Sequence, residues 1–124
     1  MTLPLLVVDG ANVVGSVPDG WWKDRRGAAE RLRDRLAARG GPQDGPFPGP
    51  YEIVLVVESR ARGITSVPGV RVEEAPASGD DLITALARAA GDRPCLVVTA
   101  DRELRRRVEE WGARCVGPRA LPLL

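Results

Sequence analysis

The chain has 124 residues, which suits one domain and is too short for two ordinary ones. Its composition, 44% hydrophobic and 28% charged, is typical of a globular protein. No apolar run approaches the roughly 20 residues of a membrane-spanning helix, and the first residues lack the basic segment and cleavage site of a secretory signal, so we expect a cytoplasmic protein. The net charge is +1, and the chain has no histidine, which excludes Ser-His and Cys-His catalysis and leaves carboxylates for acid–base or metal chemistry.

Short apolar runs alternate with helical patterns along the chain. In chain order we predict a strand at residues 3–8, a helix at 25–39, strands at 53–57 and 70–72, a helix at 82–90, a strand at 96–98, a helix at 102–111 and a weak strand ending at 115–116. The strand runs are rich in Val and Leu on both faces, as in buried parallel strands. The alternation predicts one three-layer, Rossmann-like α/β domain with a mainly parallel sheet of about five strands, in the order 3-2-1-4-5, and helices on both faces.

Other segments carry further structural predictions. Residues 40–50 hold four prolines and four glycines without periodicity, which predicts a mobile loop, with a surface hairpin beside the active edge as one arrangement. Trp111 falls at helical spacing with Leu104 and is predicted to be a core residue. Cys95 and Cys115 fit no zinc motif and are predicted to be buried, reduced thiols.

Acidic residues follow the ends of three predicted strands. Asp9, Glu58 and Asp101 stand just beyond the first, second and fourth strands, and Asp80 and Asp81 lie in the turn that opens the helix before the fourth. In open parallel sheets the carboxyl ends of the strands meet at one edge, where ligands bind. Carboxylates gathered there without basic partners repel one another, and a hard divalent cation relieves that repulsion. The pattern therefore predicts an Mg²⁺ or Mn²⁺ site that can activate water against a phosphodiester.

Each acidic segment also has a purely structural interpretation. Ser78 can cap a helix whose first turn carries acids, and the segment that begins at Thr99 can be interpreted in the same way. Asp9 and Gly10 can form a plain turn. Capping is the favoured interpretation of either helix start taken alone, whereas the coincidence of three acidic segments on one rim favours the metal site.

Four segments, in order along nearly the whole chain, carry a family resemblance. Residues 7–14 (Val-Val-Asp-Gly-Ala-Asn-Val-Val), 78–83 (Ser-Gly-Asp-Asp-Leu-Ile), 97–104 (Val-Val-Thr-Ala-Asp-Arg-Glu-Leu) and 112–118 resemble the NYN branch of PIN-like domains, specifically the YacP-like group. The resemblance implies a metal-dependent endoribonuclease with a PIN-like fold.

The resemblance also implies roles for individual residues. It assigns metal binding to Asp9, Asp81 and Asp101, and it places Asp80 beside them in the catalytic set. It gives Asn12 the role of holding the pocket or a bound water by hydrogen bonds. A side chain that only bonds nearby backbone in a turn is an equal alternative for Asn12.

The sequence departs from the family pattern at two positions. Glu58 stands where the family often has Asp, so it is a candidate metal ligand or a partner of Arg60 or Arg62. Ala11 stands where the family often has an aromatic residue. The tryptophan pair at 21–22 is a candidate replacement for that ring.

Basic and aromatic side chains near the same rim are candidates for binding RNA. These candidates comprise Lys23, Arg25, Arg60, Arg62, Arg102 and Trp22. Such a ring would hold the phosphates that flank an acidic centre, although each arginine alone is more simply a solvated charge. An exposed tryptophan pair would stack on unpaired bases. Burial of one or both tryptophans as a hydrophobic staple for the next helix is the favoured interpretation.

The predicted partner is RNA, with mRNA and ribosome-associated RNA as candidates; no membrane is implied, and a homodimer stays open. A non-catalytic RNA-binding or scaffold module of the same fold and a toxin-type PIN nuclease remain alternatives.

Other phosphate-handling folds are disfavoured. A haloacid-type phosphatase needs Asp-x-Asp after the first strand, and a dinucleotide-binding domain needs Gly-x-Gly-x-x-Gly there.

Overall fold

Helices and strands alternate along residues 2–58 and 61–122, which the computed structural model describes. The strands are β1 (Leu5–Asp9), β2 (Glu52–Val57), β3 (Val70–Glu74), β4 (Cys95–Val98) and β5 (Arg114–Val116). The helices are α1 (Gly10–Gly15), α2 (Arg25–Arg39), α3 (Gly79–Ala90) and α4 (Arg102–Glu109), with short 3-10 helices at Trp21–Lys23 and Pro118–Ala120. Among the helices in these ranges, none combines the length and the apolar character that a bilayer crossing requires.

The sheet places β1 at its centre. All five strands run parallel in the order β3-β2-β1-β4-β5, so the predicted order 3-2-1-4-5 is confirmed. Val8 of β1 pairs with Leu55 of β2 on one side and with Val98 of β4 on the other. The ends of β2, β1 and β4 therefore lie side by side, and we call this side of the sheet the carboxyl edge.

Helices cover both faces of the sheet, because successive residues of the central strand point to opposite sides. Leu6 and Val8 face a core that includes the apolar residues of α1 and α2. Leu5 and Val7 face a second core, which α3 and α4 complete. Every residue of β1 and β4 is buried, which explains why their sequences are apolar without alternation.

Helix α1 begins directly at the end of β1, where the sequence patterns predict no helix. The Asp9 carboxylate caps this helix by accepting a hydrogen bond from the Asn12 backbone N–H at 3.3 Å. Gly10 is buried at the first helical position, and a Cβ there would lie 2.5 Å from the Val56 carbonyl oxygen. Only glycine therefore lets β1 turn into a helix this close to β2.

The glycine- and proline-rich segment lies away from the carboxyl edge. Residues 40–50 join the end of α2 to the start of β2, so they lie at the amino ends of the strands. Gly41 and Pro42 are buried, and the Tyr51 hydroxyl lies within hydrogen-bond distance of the carbonyl oxygens of Pro42 and Phe47. The expected hairpin beside the active edge is therefore wrong. This segment forms no strand and closes the opposite end of the core.

Trp111 lies outside the core, so the prediction made from its helical spacing is wrong. Helix α4 ends at Glu109, and Gly112 with a φ of 91° then turns the chain away from the helical path. The Trp111 side chain is 46% exposed. The Arg88 guanidinium covers its ring at 4.8 Å from the centroid.

The two cysteines are free thiols, as predicted, but only Cys95 has the predicted burial. Cys95 is buried in β4, and Cys115 is half-buried in β5. Desolvation raises the pKa of both thiols to about 11. Because the thiolate is the reactive form, both side chains act as apolar packing groups.

Candidate functional site

Four carboxylates gather at the carboxyl edge, and we call them the acidic cluster. Asp9 ends β1, Glu58 follows β2, Asp80 lies in the first turn of α3, and Asp101 directly precedes α4. Desolvation is the largest cause of the raised pKa of Asp9, and charge repulsion from Asp80 and Glu58 adds to it. The pKa of Asp80 is raised first by desolvation and then by repulsion from Asp101 and Glu58. Hydrogen bonds place these acids, which are distant in sequence, at the same edge: Thr99 bonds to both Asp9 and the Asp101 backbone N–H, and Glu58 bonds to the Gly79 N–H beside Asp80.

Asp9 is the most buried member of the acidic cluster, with only 7% of its surface exposed. Its Oδ2 accepts a hydrogen bond from the Thr99 hydroxyl at 2.9 Å, and its Oδ1 accepts from the Asn12 backbone N–H. These two bonds favour the ionised form, but desolvation outweighs them and the pKa of Asp9 remains raised. The protein thus holds this carboxylate firmly in an environment that disfavours its charge.

Thr99 and Asn12 tie the first strand to the turn between β4 and α4. The fully buried Thr99 hydroxyl donates to Asp9 and accepts from the Asp101 backbone N–H at 3.2 Å. The Asn12 side-chain oxygen accepts from the Ala100 backbone N–H at 2.8 Å, so it holds the site across the sheet edge rather than a turn of its own. Sequence reasoning missed Thr99 as a site residue. A hydroxyl that ends an otherwise apolar strand was the available signal.

Asp101 combines a structural role with its place in the acidic cluster. Its Oδ1 accepts a hydrogen bond from the Leu104 backbone N–H at 3.1 Å and caps α4. Asp9 caps α1 in the same way, and Ser78 caps α3 through the Asp80 backbone N–H. The capping and site interpretations of these segments are therefore compatible.

The two adjacent aspartates of α3 point in different directions, as residues about 100° apart on a helix must. Asp80 is half-buried and faces Asp101 and Glu58 closely enough for their charges to raise its pKa. The Asp81 side chain is 70% exposed and forms an ion pair with Arg107 at 2.9 Å. The structure thus brings Asp80 into the acidic cluster and leaves Asp81, the ligand that the family resemblance implies, at its rim.

Glu58 links the end of β2 to the start of α3. Its Oε2 accepts a hydrogen bond from the Gly79 backbone N–H. A Cβ at position 79 would collide with this oxygen, so the glycine allows the close approach. Among the described residues, Glu58 forms no salt bridge with Arg62, one of its two predicted partners. Arg60, the other, lies outside the described residues.

The donor chemistry of the acidic cluster fits a hard divalent cation. None of the ion pairs formed by residues 2–58 and 61–122 includes any of the four carboxylates of the acidic cluster. Oxygen is the donor that Mg²⁺ and Mn²⁺ prefer. Within the same residues, no three side chains of the acidic, cysteine or histidine type are arranged to hold one ion as they stand. An ion held by three of these carboxylates at once would therefore require side-chain rotation, whereas one or two carboxylates with bound waters are enough for Mg²⁺.

The candidate RNA-binding residues differ in how free their side chains are. Lys23, Arg25 and Arg102 are exposed beside the carboxyl edge. The Arg62 guanidinium instead donates to the carbonyl oxygens of Ala75 and Pro76, at 2.7 and 2.9 Å, so it holds the segment before α3. RNA binding by these residues stays a prediction.

The tryptophan pair is half packed and half exposed. Trp21 is partly buried, with Gly15 beside its ring, and the Arg25 guanidinium lies 5.2 Å from its centroid. Trp22 is 57% exposed and meets Trp21 edge to face, at 6.0 Å between centroids. Neither ring is fully buried, so the favoured interpretation, burial of one or both rings as a staple for the next helix, is met only in part by Trp21 and not by Trp22. Trp22 is free to contact a ligand.

Comparison with known proteins supports the fold assignment. No protein-family model matches this chain, and a search of curated proteins gives no significant match. Among solved structures, the crystal structure of Rae1 (YacP) from Bacillus subtilis, a W164L mutant, superposes with a TM-score of 0.70 at 19% sequence identity. The match covers 95% of this chain and 72% of that one. The chain therefore has a YacP-like fold of the Rossmann-like PIN type, as the sequence resemblance predicts.

Proposed function

We propose that this protein is a divalent-metal-dependent endoribonuclease that hydrolyses single-stranded or otherwise accessible RNA at the acidic cluster. The observation that best supports the proposal is the buried Asp9 carboxylate beside Asp80 and Glu58, with no described cationic side chain paired to any of them. A buried charge among like charges is unfavourable unless it takes up a proton or binds a cation. The YacP-like fold supports the reaction class through the resemblance stated above.

The proposed metal ligands are Asp9, Asp101 and an acid of α3, with Glu58 as a further candidate. Asp80 is the better placed of the two α3 acids, because its carboxylate already interacts with the others. When bound, Mg²⁺ or Mn²⁺ would lower the pKa of water and offset the charge that develops on the phosphodiester. The buried hydroxyl of Thr99 keeps Asp9 oriented, and Asn12 keeps the β4–α4 turn next to it.

The exposed basic residues suggest how RNA would approach. Lys23 and Arg25 lie on the α2 side of the sheet, and Arg102 begins α4 on the other side. An RNA backbone that crosses the carboxyl edge would meet basic side chains on both sides of the acidic cluster. Such contacts position phosphates without reading sequence.

Cleavage of matched nucleic acids tests the proposal directly. End-labelled RNA and DNA of one sequence are incubated with the protein in Mn²⁺, in Mg²⁺ and in excess EDTA. We expect internal cuts in RNA with either metal and none in EDTA, because the proposed mechanism needs the metal to activate the attacking water. Full activity in EDTA would contradict the mechanism. RNA binding without cleavage under every metal condition would assign the non-catalytic module instead.

The two α3 acids offer a second test, because each variant serves as the other's control. Asp80→Asn should slow cleavage by roughly tenfold or more, as expected for loss of a metal-site group. Asp81→Asn should have the smaller effect, because it removes only an exposed ion pair with Arg107. Initial rates at saturating Mn²⁺, with circular dichroism to check folding, measure both. The reverse order would restore Asp81 as the ligand that the family resemblance implies.

A further inference from the structure

A small pocket opens beside the acidic cluster, on the α1 and α2 side of the sheet. Its volume is about 150 Å³, and its apolar lining includes Ala11 and Val14 of α1, Trp21, and Val57 at the end of β2. Glu58 belongs both to this lining and to the acidic cluster. A ligand in the pocket would therefore lie next to the proposed cleavage site.

The size and lining of the pocket suit one flat ring. A cavity on the order of 150 Å³ holds a single benzene-sized ring in a protein core. Aliphatic walls with an indole among them favour a planar heterocycle, and unpaired bases bind proteins through such ring contacts. The small side chain of Ala11 keeps the space open, since a larger side chain at this exposed position would extend over it. A single pyrimidine ring matches this volume.

Two charged side chains of the lining supply the polar contacts. Glu58 uses Oε2 to accept from Gly79, which is the one hydrogen bond that its carboxylate forms with described residues. An ionised carboxylate only accepts hydrogen bonds, so it favours a ring that carries an amino group. The Arg25 guanidinium, which covers Trp21, only donates and favours a carbonyl oxygen. Cytosine presents both groups, while uracil presents a second carbonyl oxygen in place of the amino group.

We propose that this pocket binds an unpaired cytosine of the RNA strand whose phosphates lie at the acidic cluster. The inference rests on the proposed function, because it takes RNA as the ligand, and it adds a base preference to that function. Cytosine donates its amino group to Glu58 and accepts from Arg25, and uracil places an acceptor against the carboxylate. The base then fixes which phosphodiester reaches the acidic cluster.

Binding measured without metal tests the pocket independently of cleavage. Fluorescein-labelled hexacytidylate and hexauridylate are titrated with the protein in EDTA, and anisotropy gives the two Kd values. We expect hexacytidylate to bind about tenfold more tightly, the ratio that one hydrogen-bonded base contact typically gives. Equal Kd values would overturn the inference whatever the cleavage assay shows. A cytosine preference in a protein that never cuts RNA would support the pocket and overturn the nuclease.

Variants of the lining give the sharpest readout. Ala11→Phe fills the pocket from an exposed helical position, and Trp21→Leu removes the ring, so each should abolish the cytosine preference. Trp111→Leu is the matched control. An arginine also covers Trp111, but this residue follows the C-terminal end of α4, far from the carboxyl edge where α4 begins. This variant should keep the wild-type ratio. Retention of the preference in folded Ala11→Phe and Trp21→Leu proteins would overturn the inference.

A third variant tests the hydrogen bond itself. Glu58→Gln replaces the carboxylate with an amide that can both donate and accept. We expect hexauridylate to bind this variant nearly as tightly as hexacytidylate, so that the ratio of Kd values falls from about ten toward one. A purely structural role of Glu58 would weaken both ligands equally, and that result would contradict its assignment as the group that recognises the base.

Discussion

The Asp9→Asn variant is expected to lose RNA cleavage and, without metal at neutral pH, to unfold at a higher temperature than the wild type. Asparagine retains an oxygen that caps α1 through the Asn12 backbone N–H. Its amide nitrogen reverses the hydrogen bond with Thr99, so the Thr99 hydroxyl, which donates to Asp9 in the wild type, must rotate to another acceptor. The substitution removes a buried charge that Asp80 and Glu58 repel. We expect the loss of activity to exceed the roughly 100-fold that outer-shell changes at metal sites typically cost. The Tm should rise by a few degrees, which corresponds to an increase in the free energy of unfolding on the order of 1 kcal/mol.

The stability gain should depend on pH with a defined sign. Because the folded-state pKa of Asp9 is raised above its ordinary value of 3.8, the native protein holds this proton more tightly than the unfolded chain does. As pH rises from 3.8 through the folded-state pKa, the native state loses stability, and the full penalty applies at neutral pH. The Tm advantage of Asp9→Asn over the wild type should therefore be largest at neutral pH and shrink on acidification into that window.

Thermal unfolding and cleavage of the same preparations check this prediction. Added Mn²⁺ should raise the Tm of the wild type, because a ligand that binds only the native state stabilises it, and should leave Asp9→Asn nearly unchanged. Glu103→Gln is the matched control. It removes an exposed acid of the first turn of α4 that pairs with Arg106, outside the acidic cluster. Wild-type cleavage by Asp9→Asn in Mn²⁺ would refute the role assigned to Asp9.

Gly10→Ala is expected to destabilise the fold far more than the same change at Gly15, the glycine at the other end of α1. The new Cβ would lie 2.5 Å from the Val56 carbonyl oxygen and 3.3 Å from the Leu55 side chain, so α1 or β2 must move. Overpacking of this kind typically costs roughly 1–3 kcal/mol. Any movement of α1 also shifts Asp9, which precedes it directly. We therefore expect cleavage to fall even under conditions where the variant stays folded.

Gly15→Ala provides the control within the same helix. A Cβ there would lie 3.8 Å from the Trp21 ring, an ordinary contact at an exposed position. This change should leave stability unaltered or raise it slightly, by about 0.4–1 kcal/mol. Urea unfolding followed by circular dichroism measures both variants. Equal midpoints for Gly10→Ala and Gly15→Ala would show that the close approach of α1 to β2 is not a constraint on the fold.

The sheet was predictable because burial on both faces leaves a direct trace in the sequence. β1 and β4 are apolar at almost every position, since helices cover them from either side. The order 3-2-1-4-5 follows the doubly wound arrangement, in which the strand order reverses beside the first strand. The convergence of Asp9 and Asp101 was then a consequence of topology, and needed no side-chain detail.

Details that depend on tertiary contacts were beyond the sequence patterns. Helix α1 has six residues with a glycine at each end, and its cap and the Asn12 contact, rather than its propensity, hold it. Trp111 fits the helical spacing but follows the last residue of α4, so the turn at Gly112 carries it outward. Asp80 and Asp81 are adjacent and look equivalent in a sequence motif. Only the orientation of α3 in the fold determines that Asp80 faces the acidic cluster and Asp81 faces solvent.

Two acids of the proposed site also begin helices, since the Oδ1 atoms of Asp9 and Asp101 accept hydrogen bonds from the first turns of α1 and α4. Exchange of one carboxylate oxygen for an amide nitrogen leaves such an anchor in place while it removes the charge. A single Asp-to-Asn substitution can thus separate the helix-capping role of the side chain from its role as a charged group of the site. A protein with asparagine at both positions is therefore expected to keep this fold and to lack the acidic charges of the proposed metal site.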